Sequence, residues 1–147
     1  MAADSAKGDL KMQPIEILRH ARLAALLVKS CQESLDEACL VMYSMPTTSC
    51  AAVIGRSQPT AESRQEQFVI RIEEYEQRLQ DATARYIDEA QQASDMIDTL
   101  DDYTERLILR LRYVNGKKIR EVCEIVGYTR SRVYEIHDKG VKNLKKN

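Results

Sequence analysis

The chain has 147 residues, which is enough for one ordinary domain or for a small domain with a helical extension. Aromatic residues make up 5% of it, with no Trp and one Phe, and few segments alternate with period two, so a β-sandwich or barrel is excluded. The formal net charge of -1 hides a division, because residues 104–147 carry net +7 and the first 103 residues net -8. A basic end on an acidic chain indicates a nucleic-acid-binding part and a remainder with a different task.

The N-terminal stretch contains no recognisable signal peptide. Residues 1–13 are small and polar, which predicts disorder, and charged residues interrupt the first apolar stretch. Residues 38–55 carry no charge, but Pro46 divides them and they are only mildly apolar. We therefore expect no membrane span.

A first helix is predicted from Pro14, which suits a first helical turn, to about Ser44. Apolar residues recur at helical spacing along one face. That face comprises Leu18, Ala21, Ala25, Val28, Leu35, Cys39 and Met42, with Leu23, Leu26 and Leu27 expected to widen it. Residues 45–62 contain Pro and Gly among Ser and Thr, which predicts a linker.

The longest predicted helix covers residues 63–100 and follows a heptad pattern. Its a positions are Gln65, Ile72, Leu79, Tyr86, Ala93 and Leu100, and its d positions are Phe68, Tyr75, Ala82, Glu89, Met96 and Tyr103. Such a helix would be roughly 57 Å long and must pack against something. The partner is either the first helix, folded back as an antiparallel hairpin, or a second copy of the chain. The alanine and tyrosine positions favour the hairpin, and residues 14–103 form the predicted helical or coiled-coil region.

Residues 118–144 predict two short helices joined by a tight turn. In the first helix the apolar face comprises Ile119, Val122, Cys123, Ile125 and Val126, and in the second it comprises Val133, Ile136, Val141 and Leu144. Gly127 can take the left-handed conformation that ends a helix, and Thr129 can cap the next one. The pattern is typical of a helix-turn-helix, here within residues 104–147.

The second helix of this pair, residues 130–144, is the predicted recognition helix, since residues near its start would reach base edges in the major groove. The candidate base-reading residues are Arg130, Ser131, Arg132, Tyr134 and Glu135. Arginine bonds guanine bidentately and glutamate accepts from the cytosine amino group. The candidate phosphate contacts are Lys117, Lys118, Thr129, His137, Lys139 and Lys142, with an internal hydrogen bond as the alternative for His137. The alternative to a DNA-binding motif is an ordinary helical hairpin whose arginines are solvated.

An acidic run precedes the basic end of the chain. Its members are Asp95, Asp98, Asp101, Asp102 and Glu105. Carboxylates are favourable near a helix N-terminus, so we expect this run to support the start of the next helix. Alternatively, the run screens or orients the DNA-binding module.

Residues 105–144 resemble a known family. TRSRVYEIHDKGVKNL, residues 129–144, is similar to the recognition helix of the fourth conserved region of bacterial primary-type sigma factors, and ERLILRLRYVNGKKIREVCEIVGY, residues 105–128, resembles that region's entry helix, loop and first motif helix. The pairing of VYEIH with LRLRYVNGK is more like the small sigma-like regulators of phages and prophages that include ArpU-type late-gene activators. Gly140 stands where alanine is usual, and Ser131 and Glu135 differ from the usual base-reading pair, so no target sequence carries over.

The chain offers no catalytic constellation and no cofactor motif. Its two histidines lie far apart, and neither a P-loop nor HExxH is present. The four cysteines form no CxxC pair, so buried free thiols in a reducing cytoplasm are expected, with no metal.

The sequence therefore predicts an all-α, non-enzymatic, sequence-specific DNA-binding transcription regulator of phage or prophage type. Its partner is double-stranded DNA, and the resemblance makes RNA polymerase a second candidate partner. The helical region is a candidate homodimer interface. The alternative function is a phage DNA-packaging or assembly adaptor that uses the helix-turn-helix to grip DNA loosely.

Overall fold

The computed structural model describes residues 12–44 and 61–145, which are helical without a strand in that part of the chain. The five α-helices are α1 (Pro14–Ser44), α2 (Ala61–Ile97), α3 (Tyr103–Leu109), α4 (Ile119–Val126) and α5 (Arg130–Leu144), and α3 continues into a π-helical turn, Arg110–Val114. The expected all-α class is confirmed. The predicted disorder at 1–13 and the predicted linker at 45–62 fall almost wholly outside the described residues.

The chain divides into two compact units. The first, which we call the C-terminal unit, comprises Met1–Leu23 and Glu89–Asn147, and the second, the long-helix unit, comprises Ala24–Asp88. Helices α1 and α2 each contribute residues to both units. None of the helices described is long and apolar enough to cross a membrane.

Most a and d positions of the heptad pattern lie on the side of α2 that is least exposed to solvent. Ten of the twelve predicted positions are buried or half-buried, while Gln65 is exposed and Tyr103 is 71% exposed. Tyr103 departs from the pattern because α2 ends at Ile97, so this residue starts the next helix instead. The helical period along α2 was therefore correctly read from the sequence.

The apolar face of α1 is narrower than expected. Leu18 and Ala21 are fully buried, but Leu23, Leu26 and Leu27 are 63%, 41% and 45% exposed. Each residue advances by about 100° around the helix axis, so these leucines lie off the line that Leu18 and Ala21 define. The prediction that they widen the buried face is wrong.

Within the C-terminal unit, α1 and α2 pack on each other in the same chain. Leu18 and Ala21, from the start of α1, share a core cluster with Ala93 and Ile97, from the end of α2. The cluster also includes Leu100, Leu109, Tyr113 and Leu144, which belong to the following segments. At this end of the chain, residues of both long helices therefore contribute to one core cluster.

A second core cluster lies under the helix-turn-helix. It contains Ile108, Leu111, Val122, Val133 and Ile136. Helix α3 and the π-helical turn serve both clusters, because Ile108 and Leu111 lie in this one and Leu109 and Tyr113 in the other. Helix α3 and the π-helical turn therefore contribute side chains to both core clusters of the C-terminal unit.

Candidate nucleic-acid interface

Helix α4 has well-defined ends. At its start the Glu121 carboxylate accepts a hydrogen bond from the Lys118 backbone N–H at 2.7 Å. At its end Gly127 has φ 70° and ψ 22°, and its N–H donates to the Cys123 carbonyl at 2.9 Å. A Cβ at Gly127 would meet nothing within 4 Å, so the glycine is needed for its left-handed backbone and not for space.

The predicted turn is confirmed, with one exception in the apolar pattern. Thr129 caps α5, since its hydroxyl accepts from the Arg132 N–H at 3.4 Å, and α5 begins at Arg130. On α4, Val122 is fully buried, but Ile125 is 55% exposed, so its predicted place on the buried face is wrong. Ile125 lies six residues after Ile119, which turns it about 240° away from that residue.

The inner face of α5 packs tightly against α3. Val133, Ile136 and Leu144 are buried as predicted. Gly140 is buried too, and a Cβ there would lie 3.1 Å from Leu109 Cδ1. Where the resemblance places an alanine, the glycine thus lets α3 and α5 approach closely.

A buried carboxylate also links α3 to α5. Glu105 is 1% exposed and is the single buried charged residue in the described part of the chain. Its Oε1 lies 2.9 Å from Lys139 Nζ, and its Oε2 accepts from Asn143 Nδ2 at 2.9 Å. The Glu105 carboxylate beside Lys139 raises the pKa of the Lys139 amine. The acidic run was expected to support a helix start, and no local pattern indicates that Glu105 would become buried.

Asp102 does have the role that was expected of the acidic run. Its carboxylate accepts from the Thr104 N–H at 2.8 Å and the Glu105 N–H at 3.3 Å, so it caps α3. These backbone donors, Thr104 first, lower the pKa of Asp102 below its ordinary value of 3.8. Lys139 Nζ lies 3.8 Å from the same carboxylate.

The five candidate base-reading residues are all exposed on the first turns of α5. Arg132 Nη1 donates to Glu135 Oε2 at 3.0 Å, and the Arg130 guanidinium carbon lies 5.6 Å from the centre of the Tyr134 ring. Arg130 Nη2 also donates to the Tyr134 hydroxyl at 3.4 Å, and this bond raises the pKa of Arg130. The guanidinium groups of Arg130 and Arg132 are thus each positioned by a neighbouring side chain of α5, Tyr134 for Arg130 and Glu135 for Arg132.

The six candidate phosphate contacts are placed less uniformly. Lys118, Thr129 and Lys142 are exposed, and Lys117 is half-buried. Lys139 is exposed but bonded to Glu105. The structure therefore brings Lys118 and Thr129 to the two ends of α4, whereas Lys142 lies in the last turn of α5.

His137 has partners within the protein. Its Nε2 lies 2.9 Å from the Tyr113 hydroxyl and its Nδ1 3.0 Å from Asp138 Oδ1, and the side chain is 16% exposed. The rings of Tyr113 and His137 are stacked with centroids 5.7 Å apart. Burial raises the pKa of Tyr113, so its hydroxyl stays protonated and can bond the imidazole.

Three further arginines lie beside these residues, and no role in DNA binding was predicted for them from the sequence. Arg22, Arg112 and Arg120 line the same surface cleft as Lys118 and Arg130. Nothing local to α1 indicates that Arg22 reaches the helix-turn-helix, because only the packing of α1 against the C-terminal unit places it there.

The described residues contain no cluster of three or more side chains suited to holding a metal ion. Their three described cysteines, at positions 31, 39 and 123, are free and half-buried. The candidate site is instead the exposed face of α5 with the basic side chains beside it, which suits the binding of an anionic surface.

Residues 97–146 match the protein-family model described as sigma-70, region 4. The match covers about a third of the chain and takes in α3, the π-helical turn, α4 and α5. Neither the search of curated proteins nor the search of solved structures found a match. The matched segment is therefore similar to sigma region 4, a family of DNA-binding helix-turn-helix domains.

Proposed function

We propose that this protein is a sequence-specific transcription regulator that places α5 in the major groove of double-stranded DNA. The observation that carries the proposal is the division of α5 into two faces. Val133 and Ile136 are buried on one face, and Arg130, Arg132 and Glu135 are exposed on the other. A recognition helix needs this division, because its inner face must fix its position while its outer face reads base edges.

The outer residues have distinct proposed roles. Arg132 is suited to guanine, and Glu135, which orients it through their 3.0 Å contact, is suited to the cytosine amino group. Both side chains are more than half exposed, so their mutual ion pair is weak and can be exchanged for contacts to bases. Arg130, Ser131 and Tyr134 complete the proposed reading surface.

Lys117, Lys118, Thr129 and Lys142 are the proposed phosphate contacts. Lys118 and Thr129 flank α4, the helix expected to cross the DNA backbone. A phosphate contact by Lys139 would compete with its bond to Glu105, and one by His137 with its bond to Tyr113. We therefore assign these last two residues first to holding α5 in place.

The phage or prophage lineage and RNA polymerase as a second partner are part of the proposal. Support for the lineage comes from VYEIH and LRLRYVNGK, which are similar to the corresponding segments of ArpU-type regulators. The acidic helices α1 and α2 lie almost wholly outside the sigma-like match and are the proposed site of self-association or polymerase contact. The cytoplasm, where such regulators meet DNA, is the proposed location.

The test is selection of bound sequences from random duplex DNA, followed by affinity measurements on the selected site. Arg132→Ala should cost about 1–3 kcal/mol at that site, because one bidentate base contact is lost. The same variant should bind unrelated duplex almost as well as the parent. A matched control is Arg71→Ala, which removes one positive charge from an exposed position of α2.

Several results would contradict this function. Selection that yields no preferred sequence, or equal loss of affinity for Arg71→Ala and Arg132→Ala, would remove α5 as a reader of bases. Binding without sequence preference by a large closed ring, seen by native mass spectrometry, would instead favour the assembly adaptor.

A further inference from the structure

A cleft of about 570 Å³ opens beside the recognition helix, within the C-terminal unit. Five cationic side chains line it: Arg22, Arg112, Lys118, Arg120 and Arg130. Ile119, Cys123 and Tyr134 supply the rest of its lining. No aspartate or glutamate is among the described residues that line the cleft, so its charge is strongly positive.

Arg22 and Arg112 in the cleft are close enough for their charges to oppose each other. Partial burial, followed by the charge of Arg22, lowers the pKa of Arg112. The Nε of Arg22 is shielded from solvent and has no hydrogen-bond partner in the described part of the chain. Like charges held together in this way cost free energy, and a bound anion would offset that cost.

Several of these side chains are already fixed in place. Arg112 Nη1 donates to the Lys117 carbonyl at 3.0 Å, and Arg130 is held by Tyr134. Arg120 Nε lies 3.1 Å from Glu124 Oε1, but its side chain is 90% exposed, so this ion pair is easily exchanged. Less side-chain entropy is lost when an anion binds groups that are already ordered.

We infer that this cleft binds a phosphate of the DNA backbone, and that Arg22 of α1 is a direct ligand of that phosphate. The inference rests on the proposed function, because the duplex lying on α5 supplies the phosphate. Arg130 and Tyr134 belong both to the proposed reading surface and to the cleft wall, so the cleft directly adjoins that duplex. Guanidinium groups match phosphate oxygens in geometry as well as in charge.

This assignment extends the DNA interface beyond the sigma-like segment. Arg22 lies in α1, far outside residues 97–146, and reaches the cleft because Leu18 and Ala21 anchor α1 in the core of the C-terminal unit. The long helices then take part in DNA binding directly and not only as a platform.

The test compares how the DNA affinity of full-length variants depends on salt concentration. Arg22→Gln removes the charge and leaves a shorter, uncharged polar side chain, and Arg71→Gln makes the same change on α2 outside the cleft. Each phosphate contact contributes about 0.9 to the slope of log affinity against log salt on duplex DNA, so Arg22→Gln should flatten the slope by about that amount. The loss should be equal on the selected site and on unrelated duplex, since a phosphate carries no sequence information.

The variants must also be compared as folded proteins. Circular dichroism and thermal midpoints show whether Arg22→Gln is intact, and Arg22→Lys, which restores the charge, should recover most of the salt slope. A parent-like slope for folded Arg22→Gln overturns the inference and leaves the proposed function standing. A parent protein that binds no duplex at all overturns both.

A free phosphate is the other source of the same anion. Inorganic phosphate should raise the thermal midpoint of the parent no more than it raises that of Arg22→Gln, because phosphate stabilises folded proteins in general and the inferred ligand is held by the whole duplex. A rise that phosphate produces in the parent and not in Arg22→Gln, together with an unchanged DNA salt slope, would assign the cleft to a free anion and overturn the inference.

Discussion

The two units of the chain bury their apolar residues to very different extents. In the long-helix unit the buried residues among those described are Ala24 at 7% and Ala82 at 5% exposure, and its larger apolar side chains are half-buried or exposed. The C-terminal unit has Ile97, Ile108 and Val122 at 0%, together with many others. The apolar pattern is clear in both units, but among the described residues only the C-terminal unit fully buries large apolar side chains.

The difference follows from the number of helices that meet. In the C-terminal unit, segments of five helices and the π-helical turn surround two core clusters. The described residues of the long-helix unit are parts of α1 and α2, and two helices can cover no more than one side of each other. Stability should therefore be concentrated in the unit that carries the DNA-binding surface.

The largest expected effect compares isoleucines in the two units. Ile108→Ala, at a position that is fully buried, should lower the free energy of unfolding by about 2–5 kcal/mol. Ile72→Ala, at a half-buried position of α2, should cost about half as much or less, since less area is withdrawn from water. Urea unfolding followed by circular dichroism measures both. Equal losses would mean that the long-helix unit is as well packed as the other.

A smaller effect is expected from the charged link between α3 and α5, which has no buried counterpart among the described residues of the long-helix unit. Glu105→Ala should cost about 1–3 kcal/mol, because Asn143 and Lys139 lose a buried partner. Glu105→Gln can still accept from Asn143 and should cost less. The control is Glu73→Ala on the exposed side of α2, expected to change stability by less than about 0.5 kcal/mol. If Glu105→Ala were as mild as this control, the link would not hold α5.

The smallest effect is a pH dependence in the C-terminal unit. The backbone donors of Thr104 and Glu105 lower the pKa of Asp102, so the stability that its charge provides is complete above the unfolded pKa of about 3.9 and is lost as pH falls through the folded pKa. Asp102→Asn keeps a side-chain cap without the charge, and its thermal midpoint should fall less steeply than the parent's below about pH 4. Parallel curves for the two proteins would show that Asp102 is not the titrating group.

Much of this arrangement could be predicted from the sequence because it depends on local chemistry. The helical period of residues 63–100, the left-handed Gly127 and the Thr129 cap follow from the preferences of residues close together in the chain. The exposure of Ile125 was also within reach, since counting 100° per residue places it off the buried face. The prediction that Leu23, Leu26 and Leu27 widen the buried face of α1 was wrong for the same reason, since counting 100° per residue places them off that face.

Other features could not be predicted, because they depend on residues far apart in the chain. Glu105 belongs to an acidic run that is otherwise exposed, and its burial depends on Lys139 and Asn143. Gly140 was noted as an unusual residue, but only Leu109 across the helix contact explains it. Arg22 lines the cleft for a similar reason, because the start of α1 packs with segments that are far away in the chain.

The sequence by itself determined an all-α chain with a helix-turn-helix near its end, since hydrophobic period, caps and turn residues act over a few positions. The tertiary structure alone decided that the start of α1 and the end of α2 belong to the same unit as that motif. The physical reason is that burial is shared between distant segments: Leu18 can be fully shielded only where Ile97, Leu109 and Leu144 are brought together, and a one-dimensional pattern does not say which faces will meet.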